Sequence, residues 1–267
     1  MTQFTGVSET LLIPLYARFL ETQRTDGIFK DKKAVEVVQK LNLTFDKFRD
    51  DFSITQIGCA VRTEILDQAT QAFLNHHPEA VVINSGAGLC TRFFRLDNGT
   101  IMWLEIDFPE VKASWNQVFK ETNRHQFIAS SALNFSWIDQ LNSFKELPKL
   151  FIAEGLLMYF SQQQVRQLLS ELALRFPQSE MLIEAMSPYI VKNSHRNKAI
   201  SKTDATFQWG LSTGRQLSRW SPKIRFIEEW YYLDRYPARW GNAQLLRYIP
   251  FIRKGMKGIH LCFGSGN

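Results

Sequence analysis

The spacing of apolar residues changes near the end of the first third of the chain. Before this point, apolar positions recur at helical intervals over Ser8–Leu20 and from Cys59 to about His76. Thr44–Phe48 has the composition of a helix cap and a single turn. The pattern therefore predicts an N-terminal helical lid over residues 1–78.

After this point, short runs rich in β-branched residues alternate with amphipathic stretches. The runs predict strands at Ala80–Ile83, Ile101–Ile106, His125–Ala129, Lys149–Ala153, Met181–Ala185, Ile224–Tyr232 and Gly258–Phe263. The stretches predict helices at Pro109–Glu121, Trp137–Phe144 and Ser161–Phe176. Strands that alternate with helices in this way indicate an α/β fold. We expect a Rossmann-like, doubly wound, mostly parallel seven-stranded sheet with helices on both faces.

The length of 267 residues suits one large α/β domain with an elaboration. We expect residues 79–186 to form a cofactor-binding core and residues 187–267 to form a substrate cap and the final strands. Ser187–Arg219 is polar and rich in aromatic residues, and its position makes it the candidate for an inserted cap.

The composition excludes several classes of protein. Three scattered cysteines, Cys59, Cys90 and Cys262, are too few for a disulfide framework or a zinc site, so we expect no metal. The longest apolar run, Leu150–Phe160, is interrupted by Glu154 and is far shorter than the roughly 20 residues that span a bilayer. With no signal-peptide pattern at the N-terminus, we expect a cytoplasmic protein without a membrane partner.

Positive charge is concentrated in the C-terminal third. The chain carries a net charge of +6, but residues 192–257 contain 14 Lys and Arg against four acids, which gives 14 − 4 = +10. Such a segment attracts anions. Because no basic-aromatic stacking motif accompanies it, a solvated face is the simpler interpretation of this charge, and we expect no nucleic-acid partner. We expect a small-molecule acceptor, and the positive charge would suit one that is anionic.

A glycine turn and an acid mark a nucleoside site. Gly86 and Gly88 directly follow the first predicted strand, where they allow the backbone to approach a ligand. About 20 residues later the second strand ends in Glu105-Ile-Asp107, and a carboxylate there can accept hydrogen bonds from a ribose diol. Thr91 replaces the third glycine of the dinucleotide fingerprint, which disfavours a pyrophosphate. S-adenosylmethionine, which lacks one, suits this site.

Four motifs, in a fixed order, carry a more specific resemblance. They are Ser8-Glu-Thr-Leu-Leu-Ile-Pro-Leu-Tyr-Ala-Arg18, Gly86-Ala-Gly-Leu-x-Thr-Arg92, Glu105-Ile-Asp-Phe-Pro-Glu-Val111 and Ala153-Glu-Gly-Leu-Leu-Met-Tyr159. In these the chain resembles the leucine carboxyl methyltransferase family, which includes the polyketide-type O-methyltransferases. The likeness extends from Val7 to about Phe176. It implies a class I S-adenosylmethionine-dependent methyltransferase that acts on an oxygen of a small molecule in secondary metabolism.

The resemblance implies roles for individual residues. Arg62 would grip the methionine carboxylate of the cofactor, a task for which a guanidinium fork is suited. Gly86 would pass beneath the cofactor, Asp107 would hold the ribose hydroxyls, and Glu105 would stand nearby as support. Glu154 would lie near the methionine amino group, and a glutamate at the end of an apolar strand is costly unless it is paired.

Two positions depart from the family pattern. Cys90 and Ser131 stand where aspartates are usual; Ser131, with Ala132 beside it, would still contact the adenine, but without a charged acceptor. A non-catalytic or weakly active descendant is therefore an alternative, as are a nicotinamide-dependent oxidoreductase and an RNA-modifying methyltransferase.

The acceptor is expected to be a carboxylate or an acidic hydroxyl. Methyl transfer to a carboxylate needs no general base, and none of the histidines at positions 76, 77, 125, 195 and 260 stands in a motif that marks it as one. We therefore assign no catalytic residue. Tyr159 and Trp209 are candidates for the wall of the acceptor pocket.

Overall fold

The centre of the molecule is one sheet, which a computed structural model describes together with the rest of residues 10–48, 52–194 and 206–264. Its strands are β1 (Val81–Ser85), β2 (Met102–Asp107), β3 (His125–Ala129), β4 (Lys149–Ala153), β5 (Glu180–Met186), β6 (Ile224–Tyr231) and β7 (Met256–Phe263). Each strand expected from the sequence is present, with ends that move by one or two residues.

The strand order is β3-β2-β1-β4-β5-β7-β6. β1 to β5 are parallel to one another, whereas β7 runs antiparallel to β5 and β6 runs antiparallel to β7. β1 pairs with β2 on one side and with β4 on the other, so the winding direction reverses beside β1. The predicted mostly parallel, doubly wound sheet is confirmed, and the reversal fixes where a ligand site is expected.

Helices surround this sheet. The α-helices of the described residues are α1 (Leu12–Gln23), α2 (Lys32–Lys40), α3 (Ser53–His76), α4 (Arg92–Leu96), α5 (Pro109–Val118), α6 (Gln162–Arg175), α7 (Pro188–Lys192) and α8 (Pro250–Arg253). The 3-10 segments are Asp46–Phe48, Phe135–Phe144, Leu157–Tyr159, Gly214–Arg219, Tyr232–Asp234 and Pro237–Tyr248. Within these parts of the chain, no helix has the length and hydropathy needed to cross a membrane.

Some predicted boundaries differ from the observed ones. α3 begins at Ser53, six residues before Cys59, where its apolar pattern predicts the start. The predicted start of the first helix at Ser8 lies outside the described residues. α2 was not predicted from its nine residues; the side chain of Asp31 caps it by accepting a hydrogen bond from the backbone N–H of Ala34 at 2.9 Å.

Both faces of the sheet are buried. Val81 and Ile83 of β1 face a core that includes Leu168 and Leu172 of α6, whereas Val82 faces a core built with α3 and α4. All five residues of β1 are buried, as expected of a parallel strand that is covered on both sides. A third core joins α1 and α2 to α5. The helices thus fix the outer surfaces of the sheet and leave the carboxyl ends of its strands free for a site.

Candidate active site

A cavity of about 450 Å³ opens at the carboxyl ends of β1, β2 and β4. It lies at the position where the winding of the sheet reverses, which is the usual ligand site of open α/β sheets. α1 contributes Pro14 to its wall, α3 contributes Arg62, and α7 contributes Tyr189. The volume is in the range of small-molecule sites.

The turn after β1 forms part of the cavity wall. Gly86 and Gly88 have φ values of +70° and +54°, a region that residues with a Cβ atom rarely occupy. A Cβ atom on Gly86 would lie 2.9 Å from Cδ1 of Leu156. The backbone N–H of Gly86 donates to the carbonyl of Ile106 at 2.8 Å, which ties the turn to β2. Glycine is thus required here both by the backbone conformation and by the lack of space.

Asp107 ends β2 and lines the cavity beside this turn. Its Oδ2 accepts the backbone N–H of Gly88 at 2.7 Å and its Oδ1 accepts the backbone N–H of Phe108 at 2.8 Å. Burial raises the pKa of Asp107 to about 6, even though both hydrogen bonds lower it. Each oxygen retains a second lone pair, so the carboxylate can accept further hydrogen bonds from a ligand.

Arg62 of α3 is held between two acids. Its Nη1 donates to Oε2 of Glu184 at 2.8 Å, and its Nε lies 2.7 Å from Oε1 of Glu154. The Oε2 atom of Glu184 also accepts the N–H of Gly155 at 2.9 Å. Burial by itself would lower the pKa of Arg62, but the two acids raise it well above its ordinary value. Arg62 is therefore a fixed cation on the cavity wall.

Two arginines bring positive charge to the cavity wall, which bears on whether a cofactor carboxylate fits there. Arg62 faces Glu154 and Glu184, and its Nε, 2.7 Å from Oε1 of Glu154, is not aligned for a hydrogen bond. Nε of Arg18 lies 3.4 Å from Oδ2 of Asp31, and its Nη2 donates to the carbonyl of Leu89 at 2.9 Å. The charge of these two guanidinium groups, together with Asp107 and the glycine turn, suits a ligand that carries both a carboxylate and a ribose.

A family model decides the identification. Residues 12–173 match the model described as leucine carboxyl methyltransferase. The chain belongs to the leucine carboxyl methyltransferase family. The matched stretch contains α1 and the first four strands, and with them Arg62, Asp107 and Glu154.

Named relatives agree with this family assignment. The chain is 29% identical over 259 residues to the tetracenomycin polyketide synthesis O-methyltransferase TcmP of Streptomyces glaucescens. This match covers 94% of each protein. It is 26% identical to the S-adenosyl-L-methionine-dependent methyltransferase dpfgK of Gibberella zeae, over 89% of this chain and 86% of that one. The prediction of an S-adenosylmethionine-dependent methyltransferase is confirmed.

The fold agrees as well. A crystal structure of a putative methyltransferase from Thermobifida fusca is similar to this chain with a TM-score of 0.60 at 11% identity, over 98% of this chain and 96% of that one. The Rossmann-like methyltransferase fold predicted from the alternation of strands and helices is therefore confirmed.

Three of the residues predicted for the cofactor site of this methyltransferase do not line the cavity. Glu105 is fully buried behind it and accepts hydrogen bonds from Nδ2 of Asn84 at 2.7 Å and Nε1 of Trp103 at 2.9 Å. Asn84 does line the cavity, so Glu105 contacts the wall from behind and does not itself face a ligand there. Ser131 and Ala132 lie after β3, outside the cavity wall.

The two predicted acceptor residues differ in location. Tyr159 lines the cavity, where its ring packs edge-on against Phe207 at 5.3 Å. Trp209 does not line it: the side chain is 3% exposed and packs against Trp220 in the core, with ring centroids 6.2 Å apart. Trp209 comes two residues after Phe207, which lines the cavity, but its own side chain packs in the core beneath the sheet.

Some cavity residues were not anticipated from the sequence. Glu184 interrupts the apolar run of β5 just as Glu154 follows that of β4. Since an acid in an apolar strand is costly unless it is paired, this pattern would have identified Glu184 as a site residue. Arg18 lies on the buried side of α1 together with Tyr16 and Glu21, and a charge on the apolar face of a helix is the corresponding signal.

Proposed function

We propose that this methyltransferase transfers the methyl group of S-adenosylmethionine to an oxygen of a small acceptor in secondary metabolism, and that the acceptor oxygen belongs to a carboxylate or an acidic hydroxyl. The observation that carries the proposal is the composition of the cavity wall. The wall combines Arg62, Asp107 and Glu154 with a larger set of apolar and aromatic side chains, and no histidine of the described residues lines it.

The charged part of the cavity wall would hold the cofactor. Arg62 would bind the carboxylate of the methionine part, and Glu154 would face its amino group. Asp107 would accept hydrogen bonds from the ribose hydroxyls, while Gly86 leaves room for the ligand to pass over the turn. When bound, S-adenosylmethionine supplies the electrophilic methyl group. The residues around it orient that group and exclude water.

The apolar part of the cavity wall would hold the acceptor. The apolar and aromatic side chains that line the cavity include Ile54, Met158, Tyr159, Met186, Tyr189, Ile190, Phe207, Trp240 and Met256. Such a wall favours a flat or apolar acceptor body. TcmP is by name an O-methyltransferase of polyketide synthesis, which supports an aromatic acceptor for this chain also.

The lack of a free base favours an acceptor that is already ionised. Glu154 and Glu184 are both engaged by Arg62. Of the histidines in the described residues, positions 76, 77, 125 and 260, none lines the cavity. His195 lies outside the described residues. A carboxylate acceptor attacks the methyl group directly, so no proton has to be removed.

The proposal extends to two segments of the chain. Leu11, Pro14 and Arg18, which come from α1 or lie just before it, line the cavity, and this supports the lid assigned to residues 1–78. Ile190, Asn193 and Phe207 support the substrate cap assigned to the start of residues 187–267. The net charge of +10 over residues 192–257 supports an anionic acceptor.

Radioactive methyl transfer tests the acceptor class. The protein is incubated with methyl-tritiated S-adenosylmethionine and with matched aromatic compounds that carry a carboxylate, a phenol or a carboxamide. We expect label in the carboxylate compound, released as volatile methanol after mild alkali because a methyl ester hydrolyses and a methyl ether does not. Asp107→Asn should lose the labelled product, whereas Arg175→Gln, a change on the exposed side of α6, should retain it.

Two results would contradict the proposal. Alkali-stable label in the phenol alone, with a phenol that is neutral at the assay pH, would show that the enzyme forms ethers and has a base outside the residues named above. Label in the carboxamide would move the reaction to nitrogen.

A further inference from the structure

A chain of buried ion pairs leads from the start of α2 to the cavity. Asp31 accepts Nη1 of Arg95 at 2.6 Å, and Nε of Arg95 lies 2.7 Å from Oδ2 of Asp67. Asp67 also accepts Nε of Arg92 at 2.6 Å, and Nη2 of Arg92 donates to Oε2 of Glu154 at 2.6 Å. Of these five residues, Glu154 alone lines the cavity.

The two oxygens of Glu154 have different partners. Oε2 is bound by Arg92, whereas Oε1 faces Nε of Arg62 at 2.7 Å, a donor that is not aligned with it. Arg92 is 1% exposed, so this contact is made away from solvent. Arg92 thereby fixes the plane of the Glu154 carboxylate and leaves the other oxygen at the cavity side, next to Arg62.

We propose that Arg92 is a positioning residue for cofactor binding: it acts through Glu154 to hold Arg62 and the acid in the arrangement that binds the methionine end of the cofactor. The inference rests on the proposed function. Arg92 does not line the cavity, and of its two acidic partners, Asp67 and Glu154, Glu154 alone does. Because Arg92 already fixes the Glu154 carboxylate, less conformational entropy is lost when the cofactor binds, and the affinity is higher.

A purely structural role is the competing explanation, and Arg95 separates the two. Arg95 lies one turn later on the same helix and is likewise mostly buried, and it also binds Asp67. No contact joins it to Glu154 among the described residues. Arg95 reaches the cavity wall through Asp31, which lies 3.4 Å from Nε of Arg18, and so at one step further than Arg92. A variant at Arg95 thus removes ion pairs of the same network without a direct contact to a cavity residue, which makes it a matched control.

The experiment measures binding of S-adenosylhomocysteine by calorimetry in the full chain and in Arg92→Gln and Arg95→Gln, together with the thermal midpoint of each. We expect both variants to melt earlier. Arg92→Gln should bind S-adenosylhomocysteine roughly tenfold more weakly or worse, because a buried charged hydrogen bond to the ligating acid is lost. Arg95→Gln should keep the affinity of the parent. Equal affinities in the two variants would overturn the proposal.

The background variant Glu154→Gln tests the route of the effect. Once residue 154 carries no charge, Arg92→Gln should cause little further loss of affinity, since the group that Arg92 orients has been neutralised. If the two losses instead multiply, Arg92 does not act through Glu154 and the proposal fails. Should Arg92→Gln not fold, Arg92→Lys against Arg95→Lys makes the same comparison, because a lysine is a single point of contact and does not bridge both acids.

Failure of the proposed function gives a different result. If the parent chain binds neither S-adenosylmethionine nor S-adenosylhomocysteine, the cofactor assignment of the cavity fails and Arg92 has nothing to position. If the parent binds and the two arginine variants behave alike, the positioning role alone is wrong.

Discussion

Arg62 and Glu184 are 122 residues apart in the chain, yet Nη1 of Arg62 donates to Oε2 of Glu184 at 2.8 Å on the cavity wall. This pair joins α3, which precedes the sheet, to β5, which lies on the far side of the topological reversal. Burial raises the pKa of Glu184, and Arg62 opposes that rise. The site therefore combines residues from distant parts of the chain, and substitutions at each of them can be tested separately.

Cofactor affinity should fall as the pH decreases through about 6. Burial raises the pKa of Asp107 to about 6, so its carboxylate gains a proton in this range. The charged form accepts ribose hydroxyls more strongly than the neutral form, and a bound ligand therefore competes with that proton. Affinity should be highest above pH 7 and weaken progressively toward pH 5. Calorimetric titration with S-adenosylhomocysteine at several pH values measures this.

Asp107→Asn is the control for this pH dependence. It should bind the ligand weakly, and between pH 5 and pH 7 the affinity should no longer change. A parent protein whose affinity is flat over this range would show that Asp107 does not bind the ribose.

Replacement of Gly86 should damage both stability and binding. An alanine there adopts an unfavourable φ of +70°, which costs roughly 1–2 kcal/mol, and its Cβ would also contact Leu156 at 2.9 Å. Gly99→Ala is the matched control, because Gly99 has a φ of +87° but no atom within 4 Å of the added Cβ. Urea unfolding and calorimetry should show a loss of stability in both variants and a loss of cofactor affinity in Gly86→Ala alone. Equal affinities would place the turn outside the site.

Arg239 should be important for stability rather than for chemistry. Its Nη1 and Nη2 lie 3.0 and 2.9 Å from the two oxygens of Glu21, which is fully buried in α1. Arg239→Met would leave this acid without its counter-charge, and we expect a loss of about 3 kcal/mol in the free energy of unfolding. Arg24→Met, which breaks the neighbouring exposed pair with Asp26, should change that free energy little.

The Glu21 pair also has a pH signature. Burial by itself would raise the pKa of Glu21, but Arg239, the backbone N–H of Ile28 and Gln56 together lower it below the ordinary 4.5. A lowered native pKa means that the group stabilises the fold above pH 4.5 and that this stabilisation is lost as the pH falls through the native value. The difference in unfolding free energy between the parent and Arg239→Met should therefore be largest above pH 4.5 and should shrink as the pH falls through the native pKa of Glu21. Urea unfolding at several pH values measures this, and a difference that does not change with pH would show that the pair does not set the charge state of Glu21.

Gly58 offers a way to alter the acceptor part of the cavity alone. It lies in α3 and lines the cavity, and an added Cβ would lie 3.3 Å from Cε of Met256 and 3.8 Å from the ring of Trp240. Gly58→Leu should fill this part, raising KM for the acceptor while leaving the affinity for S-adenosylhomocysteine unchanged. Steady-state kinetics and calorimetry together measure the two effects. An unchanged KM with weaker cofactor binding would reverse the assignment of the two parts of the wall.

The sheet was predictable because its strands are sharply patterned. β1 and β4 are short, apolar and bounded by turns, and their periodicity differs clearly from that of α3 and α6. α2 escaped prediction because it is short: Ala34, Val37 and Val38 have helical spacing, but nine residues contain only one repeat of it. Its stability depends on the Asp31 cap and on packing against α1 and α5.

Individual contacts of the site were less predictable than its position. The family resemblance identifies Arg62, Asp107 and Glu154, and all three line the cavity. Glu184 and Arg92 complete the arrangement because of which strands become neighbours and how α4 packs against α3. Neither feature can be predicted from the local sequence. Trp209 shows the converse, since an aromatic residue near a site can equally well belong to the core.

Calorimetric titration of the purified protein with S-adenosylmethionine and S-adenosylhomocysteine, with NADH as the control, tests the central claim most directly. We predict saturable binding of the first two ligands at one site per chain and no binding of NADH. Binding of NADH, or silence with both sulfur-containing ligands, would contradict the assignment of the cavity formed by Arg62, Asp107 and Glu154.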